Sequence, residues 1–182
     1  MEVSTLENHF LYWIDRFDHI LSAEEFGDSR LYSFVQINNT LKNENIINEY
    51  LREEQKIINF IFCLVDQQDS ELSNSRIRYS WQSSCSKKVN YLFTEEQIKF
   101  LAKVNRKYEQ EIILNSKDEL YNYLVLGVRE LLKVKIKLAD AYLEIGFDMS
   151  LVAQNVEEEK LLKLTREAGL HVLRKWEHLM WE

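Results

Sequence analysis

Hydrophobic positions along this chain recur mostly at alternating intervals of four and three residues. From Leu120 through Leu124, Gly127, Leu131, Val134, Leu138 and Tyr142 to Ile145 the interval holds almost without fault. It predicts one helix over about 117–145, roughly 43 Å long. Leu6, Phe10, Trp13, Phe17 and Ile20 draw the same kind of face on a first helix of about 5–25. Further helices are predicted at about 28–41, 44–68, 94–115 and 155–181. The 44–68 helix carries Ile47, Leu51, Ile58, Ile61 and Val65 as one stripe, and its run from Ile57 to Val65 is apolar nearly all round.

Local punctuation points to the same division. Ser4 with Glu7, Thr94 with Gln97, Ser116 with Glu119 and Asn155 with Glu158 each set a capping oxygen three residues before a Glu or Gln that can reach back. Gly27 and Gly146 follow apolar segments and suit left-handed helix stops. Gly127 and Gly169 fall inside apolar stripes, where a missing side chain lets a neighbouring helix approach. The chain contains no proline, and proline is the residue most damaging to a helix interior. The fold class expected is all-α: a single domain over 1–182, built as an antiparallel bundle of five or six long helices.

One stretch breaks the pattern, the long connection at about 70–93. Ile77, Tyr79 and Trp81 alternate there with Arg78, Ser80 and Gln82 at strand period, so part of it is expected to be extended. Between Glu71 and Glu95 it holds no acidic residue but has Arg76, Arg78, Lys87 and Lys88, a local charge of +4 against −11 for the remainder. The connection is read first as a structural lid that lays its aromatics on the bundle. Alternatively the basic residues Arg76, Arg78, Lys87 and Lys88, with the aromatics Tyr79 and Trp81, form one candidate partner surface. Single-stranded nucleic acid is a third reading, which four charges hardly support. A second candidate partner surface is the apolar group Trp176, Leu179, Met180 and Trp181 near the end of the chain, which suits docking or a homodimer contact.

Composition narrows the functional classes. The net charge of −7 disfavours a general binder of nucleic acid or anionic membrane, since phosphate affinity accumulates from Lys and Arg. No apolar run is long enough to span a bilayer and no secretory leader is evident, so a cytoplasmic protein is expected. Cys63 and Cys85 are read as reduced thiols. No two glycines cluster, which excludes phosphate-cradling loops, and no cofactor is expected. His9, His19, His171 and His178 project away from the apolar stripes and no Glu-x-x-His spacing occurs, so no metal site is assigned. Glu54 falls within an apolar stripe and requires a cationic partner from a facing helix if it is buried.

The spacing Arg166-Glu-Ala-Gly-Leu-His171 resembles the Arg-x(4–6)-His element of the HEPN superfamily, all-helical domains of which many dimerise and cleave RNA without metal. The resemblance covers these six residues. It implies that Arg166 stabilises phosphate charge and that His171 acts as acid or base toward RNA, with Glu167 departing from the Asn, Asp or His usual after the Arg. The leading expectation remains a non-enzymatic protein that works by protein association, as an adaptor, regulator or neutralising partner. A HEPN-like ribonuclease or its inactive relative is the alternative, and a metal- or apolar-ligand-binding bundle is the third.

Overall fold

A computed structural model of the chain describes residues 10–28, 34, 43–68, 72, 74–82 and 92–177. The fold is mixed α/β, which overturns the all-α bundle. Its elements in chain order are β1 (Phe10–Asp15), α1 (Ala23–Asp28), α2 (Glu44–Gln68), β2 (Arg76–Trp81), α3 (Glu95–Lys103), β3 (Gln110–Ile113), α4 (Lys117–Val128), β4 (Leu132–Leu138) and β5 (Ala141–Ile145). A 3-10 turn (Phe147–Met149), β6 (Leu151–Gln154), α5 (Glu158–Ala168) and β7 (His171–Glu177) complete the order. The strands make one seven-stranded sheet ordered β3-β2-β4-β5-β6-β1-β7, with every neighbouring pair antiparallel.

The predicted 117–145 helix is where the correction is largest. Residues 132–138 read Leu-Lys-Val-Lys-Ile-Lys-Leu, and residues 141–145 read Ala-Tyr-Leu-Glu-Ile; in both the apolar members are buried and the alternate ones more exposed. An interval of four belongs to both the helical and the strand period, so Val134 and Leu138 fit either, whereas Tyr142, beyond the turn, falls on the opposite face. The interval of two, carried by Leu132, Val134, Ile136 and Leu138, is the one a helix cannot satisfy. A two-residue turn at Ala139 and Asp140 joins these strands, Ala139 taking φ 49, the left-handed conformation that such tight hairpins demand. Among the described residues of the helix expected at 5–25, 10–15 form β1 and only 23–25 are helical, so that helix is overturned. Those expected at 94–115 and 155–181 are shortened, giving part of their length to β3 and β7. The absence of proline is shared by both structures, since interior strands exclude proline as firmly as helices do.

The 44–68 helix keeps its expected bounds. Asn43 starts it, its Oδ1 accepting from the amides of Asn45 and Ile46, and Tyr50, Ile57, Ile58, Ile61, Leu64 and Val65 form its buried side. Thr94 and Gln97 make the full capping box of α3, and Ser116 caps α4 by accepting from the Glu119 amide. Asn155 is no cap: it sits at φ 56 and its Nδ2 donates to the Asp140 carbonyl, bracing the β4–β5 turn. Ser4 and residues 29–33 and 35–41 of the helix expected at 28–41 lie outside the described residues, and Gly27 falls within α1 rather than after it.

Glycine placement also divides. Gly127 is a notch, but against the sheet rather than a neighbouring helix: a Cβ there would lie 2.9 Å from Ile145 Cδ1 and 3.0 Å from Val134 Cγ2, so α4 rests directly on β4 and β5. Gly169 is instead a stop. At φ 70 it ends α5, with its amide donating to Arg166 O and the Leu170 amide to Thr165 O, the hydrogen-bond pattern of a left-handed helix terminus.

Helices α2, α4 and α5 form one layer, α2 packing on both others and α4 on β4. Beneath them lies the core, made by Ile77 and Tyr79 of β2, Val134, Ile136 and Leu138 of β4, Leu143 of β5, Ala153 of β6 and Tyr12 and Ile14 of β1. The other face of the sheet carries the alternate residues, mostly polar on β2, β4 and β5 but apolar on β1, where Leu11 and Trp13 lie.

Candidate functional site

The sheet register assembles the polar face row by row, because directly paired residues share a face. One row runs Glu111, Arg78, Lys135, Glu144, Val152, Trp13, Arg174; the next runs Ile113, Arg76, Lys137, Tyr142, Gln154, Leu11, Trp176. Ser80 and Lys133 pair in a third. Arg76, Arg78, Lys133, Lys135, Lys137 and Arg174 thus bring six cations to one face of a chain whose total charge is −7. Large apolar surface accompanies them: Ile113 is 57% exposed, Tyr142 42% and Trp176 39%. Along the middle of the face Trp13, Val152 and Gln154 are half-buried and Leu11 is buried.

Carboxylates are interleaved with these cations. Arg76 Nη1 lies 3.1 Å and Arg78 Nη2 3.0 Å from the two oxygens of Glu111, and Arg78 Nε is 3.7 Å from Glu109. Hydrogen bonds from Arg78 and then Arg76 hold the Glu111 carboxyl below its ordinary range. Lys133 and Lys135 each reach one oxygen of Glu144 at 3.2 Å, and the Lys137 ammonium stands 5.5 Å above the Tyr142 ring. A depression of about 310 Å³ opens among Arg78, Tyr79, Ser80, Glu109, Lys133 and Lys135. It sits where the short side chain of Ser80 follows Arg78 along β2, leaving space between longer cationic neighbours.

The candidate residues read from sequence are distributed as follows. Arg76, Arg78 and Trp176 lie on the polar face, so two groups 100 residues apart in sequence share one surface. Tyr79 turns the other way, 5% exposed, with its ring 5.0 Å from that of Tyr123. Trp81 is half-buried on the helical side, under the Arg106 guanidinium at 4.6 Å. These two aromatics belong to the core and its margin, not to the surface their basic neighbours make. Lys87, Lys88, Leu179, Met180 and Trp181 lie outside the described residues.

Arg166 and His171 are not carried on one helix. Arg166 is exposed in the last turn of α5, Gly169 ends that helix, and His171 opens β7 opposite Asp15 of β1. The spacing expected to align them along a late helix is therefore interrupted, and with it the structural context of the HEPN resemblance. Asp15 and His19 share no helix, and neither do Glu167 and His171. His19 pairs instead with Asp18 at 2.7 Å and Glu25 at 3.0 Å on the surface. Among the described residues no group of three or more His, Cys, Asp or Glu is placed to hold a metal ion, and no described helix is long and apolar enough to cross a membrane.

Glu54 is buried at 4% exposure, and its partner is Arg129 at the end of α4. Arg129 Nε and Nη2 donate to its two oxygens, each at 2.7 Å, while Nη1 donates to the Leu92 carbonyl at 2.6 Å. The Phe93 ring lies 4.7 Å from the guanidinium. Burial opposes the Arg129 charge, but the bonds from Glu54 prevail and hold its pKa above the ordinary value. This pair clamps α2, α4 and the entrance to α3 and is structural.

A further ionisable group gathers at the end of the sheet where β1 and β5 finish. Burial raises the carboxyls of Asp15, Glu130 and Asp148 above their ordinary values, with Arg16 opposing the shift at Asp15 and Asp148. Glu130 Oε1 accepts from the Phe34 amide at 3.2 Å, and Arg16 Nη1 reaches Met149 Sδ at 3.6 Å. Glu130, Asp148 and Met149 all hold positive φ, near 60, so side-chain bonds and backbone strain meet in one corner of the core.

Lys133, Lys135, Lys137, Tyr142, Glu144 and Arg174 were not selected by sequence reasoning. The signal was present, in the strict alternation of Lys with Leu, Val and Ile over 132–138, but the helical reading scattered those lysines around a cylinder. No family model, no curated protein and no solved structure matches this chain. Its function must be argued from the geometry.

Proposed function

We propose that this protein acts by associating with another protein rather than by catalysis, and that the polar face of its sheet is the working surface. The observation that carries the reading is the convergence on that face of six cations with exposed Tyr142, Trp176 and Ile113, in a chain that is otherwise acidic. Arg, Tyr and Trp are the residue types that anchor protein interfaces most often. Across seven strands the sheet is about 29 Å wide and about 17 Å along the strands, a footprint on the order of 500 Å² before side-chain relief. That is close to the roughly 600 Å² per partner at which standard interfaces begin.

A photo-crosslinking side chain placed at position 142 tests this, with position 163 on the exposed side of α5 as the control. The expected result is a discrete adduct from 142 alone, whose purified partner binds the wild-type chain and loses affinity for the Lys133→Glu, Lys135→Glu double variant. Adducts equally abundant from both positions, or a partner indifferent to that variant, would refute the reading.

A further inference from the structure

Taking the association surface as given, we infer the chemistry of its partner: an acidic polypeptide segment that seats a carboxylate side chain in the depression between Arg78, Lys133 and Lys135. Three observations carry this. First, the depression is bounded by three cations and one carboxylate, Glu109, with Ser80 supplying a hydroxyl at its edge. Its volume of about 310 Å³ leaves room for one acidic side chain and its hydration.

Second, the ion pairs that these cations make with Glu144, Glu111 and Glu109 are exposed. Lys133 and Lys135 share the single Glu144 carboxylate, and Arg78 bonds to Glu111 and Glu109, with every member of these pairs about one-third to three-fifths exposed. Exposed ion pairs of this kind contribute little to the fold and are readily exchanged. An incoming carboxylate takes over contacts to Lys133, Lys135 and Arg78 without uncovering the core, and excluding water from the depression strengthens those contacts.

Third, charge alternates along the row, Glu111 then Arg78 and Lys135 then Glu144. A nucleic-acid strand presents phosphate charge of one sign and would meet Glu109, Glu111 and Glu144 among the cations, on a chain of total charge −7. A polypeptide can place Asp or Glu over the cations and uncharged or basic residues over the three glutamates. Mixed-sign complementarity of this kind confers specificity on protein interfaces. The net balance of six cations against the three carboxylates paired with them makes an acidic segment the fitting occupant.

The test uses the intact protein and three labelled probes: a short peptide rich in Glu with one Tyr, the same peptide with Gln for Glu, and a single-stranded oligonucleotide of equal length. Fluorescence anisotropy at low and near-physiological salt is the readout. The acidic peptide is expected to bind, the Gln peptide to bind at least about tenfold more weakly, and Lys133→Glu with Lys135→Glu to lower acidic-peptide affinity about tenfold or more. Lys163→Glu on α5 should leave it unchanged. Ser80→Phe, which fills the depression without altering charge, should weaken the peptide about fivefold or more, with circular dichroism confirming the fold of each variant.

If Ser80→Phe binds as wild type while the lysine reversals weaken binding, the carboxylate seat is overturned although the face survives as an association surface. Oligonucleotide binding at least as tight as the acidic peptide's overturns the inference in favour of a nucleic-acid platform. No acidic-peptide binding, or equal loss on Lys163→Glu, overturns it outright.

Discussion

The protein contains two kinds of arginine–glutamate contact, and their difference separates structure from function. Arg129 and Glu54 meet in the core with two bonds of 2.7 Å, enclosed by Phe93 and fixed further by the Leu92 carbonyl. Arg76 and Arg78 meet Glu111 on the open face at 3.0–3.1 Å, with each partner about half exposed. The distances are nearly alike; the surroundings are not. In the core neither ion has an alternative, so the pair acts as a clamp. On the face water and neighbouring ions compete at every moment, so the same chemistry is available to a partner.

Breaking each contact should expose that contrast. Arg129→Met strands the Glu54 carboxylate and is expected to cost about 3–5 kcal/mol, seen as a large fall in the urea midpoint. Pairing it with Glu54→Leu should recover most of the loss, because no charge then remains buried; a double variant as unstable as the single one would show that the pair does more than compensate itself. Gly127→Val tests the same layer sterically. With Ile145 and Val134 already at 2.9 and 3.0 Å from a Cβ, about 1–3 kcal/mol of destabilisation is expected.

A third change moves in the opposite direction. Burial raises the Glu130 carboxyl, so the folded state holds its proton to higher pH than the unfolded state does. The sign follows: between the ordinary carboxylate value and the raised one, stability from this group falls as pH rises. Glu130→Gln keeps an acceptor for the Phe34 amide and removes the charge. It should raise the melting temperature at neutral pH by about 2–4 °C and flatten the gain in stability on mild acidification, as melts across that range would show. Arg78→Ala completes the series, with a change in stability of about 1 kcal/mol or less. If it unfolds the protein as Arg129→Met does, the contrast between core and face collapses.

Much of the local structure was legible in the chain. The bounds of α2 follow from its apolar stripe and Asn43, β2 from the alternation of Ile77, Tyr79 and Trp81, and the starts of α3 and α4 from Thr94 and Ser116. Glu54 announced a buried partner by its place in a stripe, though not that Arg129 would supply it. The 117–145 segment was misread because intervals of four serve both periods, and the lysines at 133, 135 and 137, which break the tie, were not weighed. Arg166 and His171 were legible as a spacing, but Gly169 placed between them a helix end rather than a packing notch.

By itself the sequence determined where apolar and polar positions alternate, which residues can start a helix, and that Glu54 needed a counter-ion. Those are properties of neighbours along the chain. Only the tertiary structure decided that β2, β4 and β5 lie side by side and that β6 and β1 join them to β7, and hence that Arg76, Lys137, Tyr142 and Trp176 occupy one row. Strand order and register are set by long-range pairing and by burial of the opposite face beneath α2, α4 and α5, which no local period encodes.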